Sequence, residues 1–235
     1  MQPPKLFTAR LEDKRVLTPK YIQYMFEFIT PHEMEFEAGQ YVSMKVSDRG
    51  DRRSYSICSA PQVKHGFELL IDISPQGIGS KYLESLQFGS EVSVLAPMGH
   101  FVIPQGVAET AFYFIATGSG VAPFKSMIED LLQKQEKRPI VLYWGLRHEE
   151  DLFWELEFQE LSKNFPNFKL QIILSQPKPE WPLSKGRVTD LLQALEKPAG
   201  AGYYLCGNGK MVDEVKAYLQ QVGIASQNVH NEMFY

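Results

Sequence analysis

Arg53-Ser54-Tyr55-Ser56-Ile57-Cys58-Ser59 anchors the reading of this chain when set beside Thr117-Gly118-Ser119-Gly120 and Cys206-Gly207-Asn208-Gly209. The first run alternates as a strand does and presents a cation, an aromatic ring and hydroxyls at fixed intervals. The other two are apolar strands that break into small residues before a helix. A guanidinium pairs a diphosphate through parallel hydrogen bonds. A tyrosine ring stacks on a planar heterocycle, and glycine turns let a second diphosphate approach the backbone. One nucleotide-like ligand per half of the chain is the expectation.

The two halves have different periods. Residues 5–103 read as short strands parted by turn residues, among them Tyr21–Phe28, Tyr41–Val46 and Phe67–Ile73, which predicts an antiparallel barrel or sandwich. One helix is expected at Ser80–Leu86, then a strand at Val92–Leu95 and a turn at Pro97–Phe101. After Pro104, apolar strands at 111–116, 140–144, 168–174 and 203–205 alternate with helices at 121–135, 151–162, 188–195 and 211–222. In the second of these helices Leu152, Leu156 and Phe158 are expected to face inward. Strict βα alternation predicts a doubly wound parallel sheet. The domains expected are 1–104 and 105–235.

Composition narrows the function. A formal net charge of −4 argues against a general nucleic-acid surface, although Lys45, Arg49, Arg52, Arg53 and Lys81 form a local basic cluster. No apolar run approaches the ~20 residues of a membrane-spanning helix. Met1-Gln2-Pro3-Pro4-Lys5 lacks a signal-peptide pattern, so a cytoplasmic protein is expected, as a monomer. The two cysteines, Cys58 and Cys206, have no metal-ligand spacing, and neither a metal site nor a structural disulfide is expected. A four-thiolate iron–sulfur cluster would have to sit on another protein.

Arg53-Ser54-Tyr55-Ser56, with the two glycine turns, resembles the ferredoxin/flavodoxin–NADP reductase family along almost the whole chain. The resemblance implies an N-terminal antiparallel β-barrel FAD domain followed by a doubly wound nicotinamide domain. It implies that Arg53 pairs the FAD pyrophosphate, that Tyr55 packs against the isoalloxazine, and that Ser56, next to Ser54 on the same strand, hydrogen-bonds near N5. Alternation puts Arg53 and Tyr55 on one face of the strand, Ser54 and Ser56 on the other. A second flavin contact is expected from Ile71-Asp72-Ile73 and Gly77-Ile78-Gly79-Ser80, whose amides at a helix start suit an anion, with Ser80 as N-cap.

Thr117-Gly118-Ser119-Gly120-Val121-Ala122-Pro123 lacks the third glycine of the full dinucleotide fingerprint, and Pro123 falls near the first helical turn, where a missing N–H costs nothing. The resemblance assigns Thr117, Gly118, Gly120, Val121 and Pro123 to the pyridine nucleotide, with Thr117 also near the flavin. It places Cys206 beside the nicotinamide, opposite Ser56, as a positioning group, with Gly207, Asn208 and Met211 in the same segment. Arg147, Ser175 and Arg187 match positions that bind an adenosine 2′-phosphate, which a free hydroxyl would replace with a carboxylate partner. Gln176 stands where NADPH-dependent relatives usually carry arginine and counts against a 2′-phosphate, but no acidic residue takes its place; on Arg147 and Arg187 NADPH is expected, and NADH remains open.

At the end of the chain, Glu232 is expected near the active centre, Phe234 over the isoalloxazine and Tyr235 at the adenine of a bent FAD, with the two aromatic roles exchangeable. A plain hydrophobic terminal strand is the alternative. Ser56, Cys206 and Glu232 are the candidate catalytic residues. The activity implied is hydride transfer between NADPH and FAD, with single electrons passed to or from a ferredoxin or flavodoxin. The alternatives are an NADH-dependent reductase component of an oxygenase and a non-catalytic flavin-binding electron-transfer subunit.

Overall fold

Alternating apolar and polar residues build the first part of the chain. In order come β1 (Lys5–Val16), β2 (Tyr21–Thr30), β3 (Tyr41–Lys45), β4 (Arg52–Ser56), β5 (Gly66–Asp72), helix α1 (Ile78–Ser85) and β6 (Glu91–Met98). The computed structural model describes residues 3–193, 197–198 and 200–234, the last without its side chain. Among the described residues, the strands run β4-β3-β6-β1-β2-β5, each pair antiparallel. A bridge between Ile57 and Leu69 links the β4 end of the sheet back to β5, so the sheet is a near-barrel.

Along β2 the inward positions are Tyr24, Phe26 and Phe28, while Met25 and Glu27 face out. Phe26 stacks on Phe67 at 5.1 Å, and Phe7 meets Phe28 at 4.7 Å. Each such ring contributes roughly 1.5–3 kcal/mol when fully buried. Val42, Met44, Leu69 and Val94 fill the remaining interior. Helix α1 covers this core with Leu83, which is fully buried. It starts two residues earlier than expected. Gly77 is its N-cap, and Ser80 lies inside the first turn, where its Oγ donates to the Gly77 carbonyl at 3.1 Å. Ser80 is therefore not the cap. Pro97 and Met98 also belong to β6 rather than to the turn that follows it.

The rest of the chain comprises β7 (Phe112–Thr117), α2 (Ala122–Gln133), β8 (Ile140–Leu146), α3 (Glu155–Asn164), β9 (Phe168–Leu174), β10 (Ser184–Lys185), α4 (Val188–Gln193), β11 (Gly202–Asn208), α5 (Gly209–Gln221) and β12 (Val229–Phe234). The sheet order is β10-β9-β8-β7-β11-β12, and every pairing is parallel. The chain forms two compact units, Met1–Ile103 with Ala122–Leu131, and Pro104–Val121 with Leu132–Tyr235. Most of α2 thus keeps company with the first unit. Its Ser126 Oγ donates to the Ser59 carbonyl at 2.7 Å, and its Phe124 ring lies 5.9 Å from Phe101.

Several expected boundaries in the second unit need correction: the strand at 140–144 continues to Leu146, and the helix at 211–222 begins at Gly209. The helix expected at 151–162 begins at Glu155, because Trp154 adopts a left-handed conformation (φ 53°) that resets its phase. Phe153, Trp154 and Phe158 take the inward side around Trp144, and Leu156 is 79% exposed. The strand expected at 203–205 continues to Asn208, so Cys206 and Gly207 are strand residues. The expected helix at 188–195 is described as far as Gln193, beyond which residues 194–196 lie outside the described residues. Among the described residues, no helix is long and apolar enough to cross a membrane.

Candidate functional site

In the first unit, the β3–β4 register sets Tyr55 opposite Val42 and Arg53 opposite Met44. Val42 and Met44 are fully buried, so Arg53 and Tyr55 share the face directed at the core, and Ser54 and Ser56 take the other. Helix α1 closes over that shared face. A Cβ on Gly79 would lie 2.2 Å from Tyr55 Oη and 3.0 Å from Arg53 Cγ, so only glycine lets the helix come this near. Burial pushes the Tyr55 hydroxyl up to about 12, against the pull of the Arg53 charge, and the ring stays neutral at working pH.

Arg53 is exposed, and its Nη1 donates to the neighbouring Arg52 carbonyl at 2.8 Å. Arg52 is tied back to β3 through Nε to Ser43 Oγ at 3.1 Å and a second bond to the Ser43 carbonyl. The start of α1 has no side-chain cap and no acidic residue in its first turn. Its first amides point out of the helix with no intrahelical acceptor. An exposed guanidinium beside a helix start without a side-chain cap is the donor set a diphosphate needs, and these residues fit FAD.

The remaining predicted flavin contacts fall close by. Ile71 is buried in the core, and Ile73 packs against it. Asp72 accepts from the Ser74 amide at 2.9 Å and the Ser74 hydroxyl at 2.5 Å, holding the turn that leads into α1. Ile78 is 40% exposed, Ser80 is buried, and Ser56 is buried on the opposite face of β4.

In the second unit, strand order reverses between β7 and β11, the point at which open α/β sheets take ligands at their carboxyl ends. Thr117 ends β7, and its Oγ1 accepts from the Asn208 amide at 3.2 Å. Gly207 has φ 140°, and a Cβ there would sit 2.3 Å from Thr117 Oγ1. A Cβ on Gly120 would sit 2.3 Å from the Cys206 carbonyl oxygen. The two glycine segments therefore share one backbone junction. Asn208 also caps α5, its side chain accepting from the Lys210 amide at 3.0 Å. This junction, with the N-terminal end of α5 beginning directly after it, suits a pyridine-nucleotide diphosphate.

Cys206 is fully buried, paired with Ala116 on one side and Glu232 on the other. Burial, then the Glu232 charge, pushes its thiol well above the usual range. A thiol held neutral is a poor nucleophile. Val121 and Pro123 are buried, and Met211 packs into the core with Val212, Val215 and Leu219.

At the outer strands, Arg147 is exposed directly after β8. The Ser175 amide donates to the Leu146 carbonyl at 3.0 Å, and the Gln176 amide to the Arg147 carbonyl at 2.9 Å, so Arg147 and Ser175 lie side by side. The Arg187 amide donates to Asp190 Oδ2 at 2.7 Å, and its guanidinium faces Glu214 at 3.7 Å. Lys210 reaches the same Glu214 oxygen at 3.9 Å.

Three residues here were not anticipated. Trp144 Nε1 donates to the Gly118 carbonyl at 3.0 Å and so holds the glycine turn. Glu214 lies between Arg187, one of the two arginines expected at the phosphate, and Lys210, and His148 Nδ1 bonds the Gln176 carbonyl at 2.8 Å. A tryptophan ending an apolar strand and a carboxylate four residues after Lys210 were the available signals. The Phe234 side chain and all of Tyr235 lie outside the described residues, while the Phe234 backbone continues the β12 ladder opposite Asn208.

Residues 8–103 match the family described as Oxidoreductase FAD-binding domain, and residues 114–217 match Oxidoreductase NAD-binding domain. Ferredoxin–NADP reductase B of Sorangium cellulosum is 31% identical over 238 residues, covering 97% of each chain. The anthranilate 1,2-dioxygenase electron transfer component of Acinetobacter baylyi is 28% identical over 86% of this chain, which spans 59% of that longer protein. The crystal structure of the Amycolatopsis cytochrome P450 reductase GcoB covers this whole chain with a TM-score of 0.91 at 26% identity, using 71% of its own length. A ferredoxin NADP+ reductase from Neisseria gonorrhoeae, solved with FAD and NADP, shares the fold at a TM-score of 0.85 and 21% identity over 98% of this chain and 99% of its own. The chain belongs to the ferredoxin/flavodoxin–NADP+ reductase family and is an FAD-binding oxidoreductase.

Proposed function

We propose that the protein moves hydride between NADPH and bound FAD and exchanges single electrons with a ferredoxin or flavodoxin, as a cytoplasmic monomer. FAD, when bound, supplies the chemistry that the side chains lack: it takes a hydride and releases electrons one at a time. Arg53 and the start of α1 grip its diphosphate, Tyr55 supports the ring system, and Ser56 donates near N5. Thr117, Gly118 and Gly120 receive the nicotinamide nucleotide, with Gly207 and Asn208 completing that cradle. Cys206, as a neutral thiol, and Glu232 border the nicotinamide. Arg147, Ser175 and Arg187 take the 2′-phosphate. The basic cluster on the β3–β4 hairpin attracts an acidic redox partner, giving salt-sensitive association.

The observation that carries this reading is the end-to-end match to a ferredoxin–NADP reductase, 97% of both chains. Longer oxygenase components share only part of their length with this chain. A second reading, an NADH-dependent oxygenase reductase, is favoured by Gln176 in the phosphate position and by the Arg187–Glu214 pair, which already engages one of the two arginines. Anaerobic mixing of the yellow protein with each nucleotide separates them. Faster bleaching by NADPH, followed by reoxidation with ferredoxin or flavodoxin, supports the first reading. Preference for NADH with no turnover of either carrier overturns it.

A further inference from the structure

We propose that His230 is a positioning residue, joined through Glu109 to Tyr204, which sets the register of the C-terminal strand so that Glu232 stands beside Cys206. The inference rests on the functional reading only in giving that Cys206–Glu232 pair its purpose. Its physical basis lies within the second unit.

β12 ends the sheet and pairs in parallel with β11: Tyr204 opposite His230, Cys206 opposite Glu232. Residues two apart on a strand share a face and lie about 6.6 Å apart. His230 and Glu232 therefore occupy one face, with Tyr204 and Cys206 next to them. Val229 and Met233 occupy the other, packed against the apolar core of this unit. That alternation resists a one-residue slip, which would turn every side chain over. A two-residue slip keeps the alternation intact and moves Glu232 away from Cys206. Something must distinguish the two registers.

Glu109 does so. Its Oε1 accepts from His230 Nε2 at 2.9 Å, and its Oε2 accepts from Tyr204 Oη at 2.9 Å. A carboxylate offers no proton, so Nε2 carries one in this arrangement. The His230 ring stacks on Tyr204 with centroids 4.5 Å apart and planes 20° from parallel. The backbone that carries this carboxylate is tied down: Arg138 Nη1 donates to the Glu109 backbone carbonyl at 2.9 Å and to the Val107 carbonyl at 3.1 Å. Gly202 leaves the space it fills, since a Cβ there would come within 2.2 Å of that carboxyl group. A two-residue slip breaks the stack and the shared carboxylate together.

The test uses the full-length holoprotein and three variants, His230→Ala, His230→Gln and Tyr204→Phe. Maleimide labelling, resolved by peptide mass spectrometry, reads how well β12 covers Cys206, with buried Cys58 as internal reference. Nucleotide-driven reduction of a dye acceptor reads kcat and KM. In H230A, Cys206 labelling should rise about tenfold and kcat fall by a similar factor, as expected for losing a charge-assisted hydrogen bond. Cys58 labelling and FAD content should not change. H230Q, which keeps a side-chain N–H donor, should reverse most of both changes. Should H230A fail to fold, Y204F takes its place, with smaller shifts in the same directions. Wild-type labelling and kcat in H230A, or no recovery in H230Q, would overturn the proposal. If neither nucleotide reduces the wild-type flavin, the functional reading fails, while the labelling comparison still decides the role of His230.

Discussion

Gly207 and Thr117 come so close that no side chain fits between them: a Cβ on Gly207 would lie 2.3 Å from Thr117 Oγ1. Gly207→Ala is expected to destabilise the protein by about 2 kcal/mol through overpacking and a strained φ, and to weaken nucleotide binding. Thermal melts and nucleotide titration measure the two effects. An unchanged melting temperature would mean that the β7–β11 junction can open to admit a methyl group.

Arg53 is exposed and lies outside the apolar core, so its loss should touch the cofactor and not the fold. Arg53→Ala should raise the FAD dissociation constant by roughly 10- to 100-fold, the value of a charge-assisted bond. The melting temperature of the flavin-free protein should stay where it is. FAD fluorescence during dialysis against free flavin gives the first quantity and differential scanning fluorimetry the second.

Glu214 competes with any phosphate for Arg187 and Lys210. Exposed pairs of this kind are worth about 0–1 kcal/mol. Glu214→Gln should therefore improve the KM for NADPH by roughly two- to fivefold while leaving NADH almost untouched. Arg187→Ala should do the reverse, weakening NADPH alone. Equal changes for both nucleotides would remove Arg187 from the 2′-phosphate site.

Arg138 donates from Nη2 to Glu136 at 2.7 Å and from Nε at 3.0 Å, and this holds the Glu136 carboxyl down at about 2, against an ordinary value of 4.5. A depressed carboxyl stabilises the fold above its unfolded value and loses that contribution as pH falls through its folded value. Glu136→Gln should thus lower the melting temperature at pH 6, and the gap to wild type should close between pH 4.5 and 2. A gap independent of pH would point to packing rather than charge.

How far local pattern reaches is clear from individual residues. Period-two alternation put Arg53 and Tyr55 on one face of a strand, and the β3–β4 register agrees because pleating is a property of each strand alone. The strand expected at Phe168–Leu174 has those same bounds in the structure, its polar Lys169 and Gln171 alternating with apolar neighbours. Leu156 was misjudged because its phase depends on where α3 starts, and a single left-handed residue, Trp154, moved that start. Ser80 was misjudged as a cap for a similar reason: Gly77, with no side chain to offer, is where the helix begins.

The side chains and turns proposed to grip the two nucleotides were legible in short runs, since a guanidinium, a ring and a glycine turn are each complete within a few residues. The partnerships that aim them were not. Trp144 reaches Gly118 across 26 residues, Glu109 reaches His230 across 121, and the body of α2 packs with the first unit although its leading glycine turn belongs to the second. Such contacts depend on the path of the whole chain, because hydrogen bonding and close packing select neighbours in space while periodicity reports only on neighbours along the backbone.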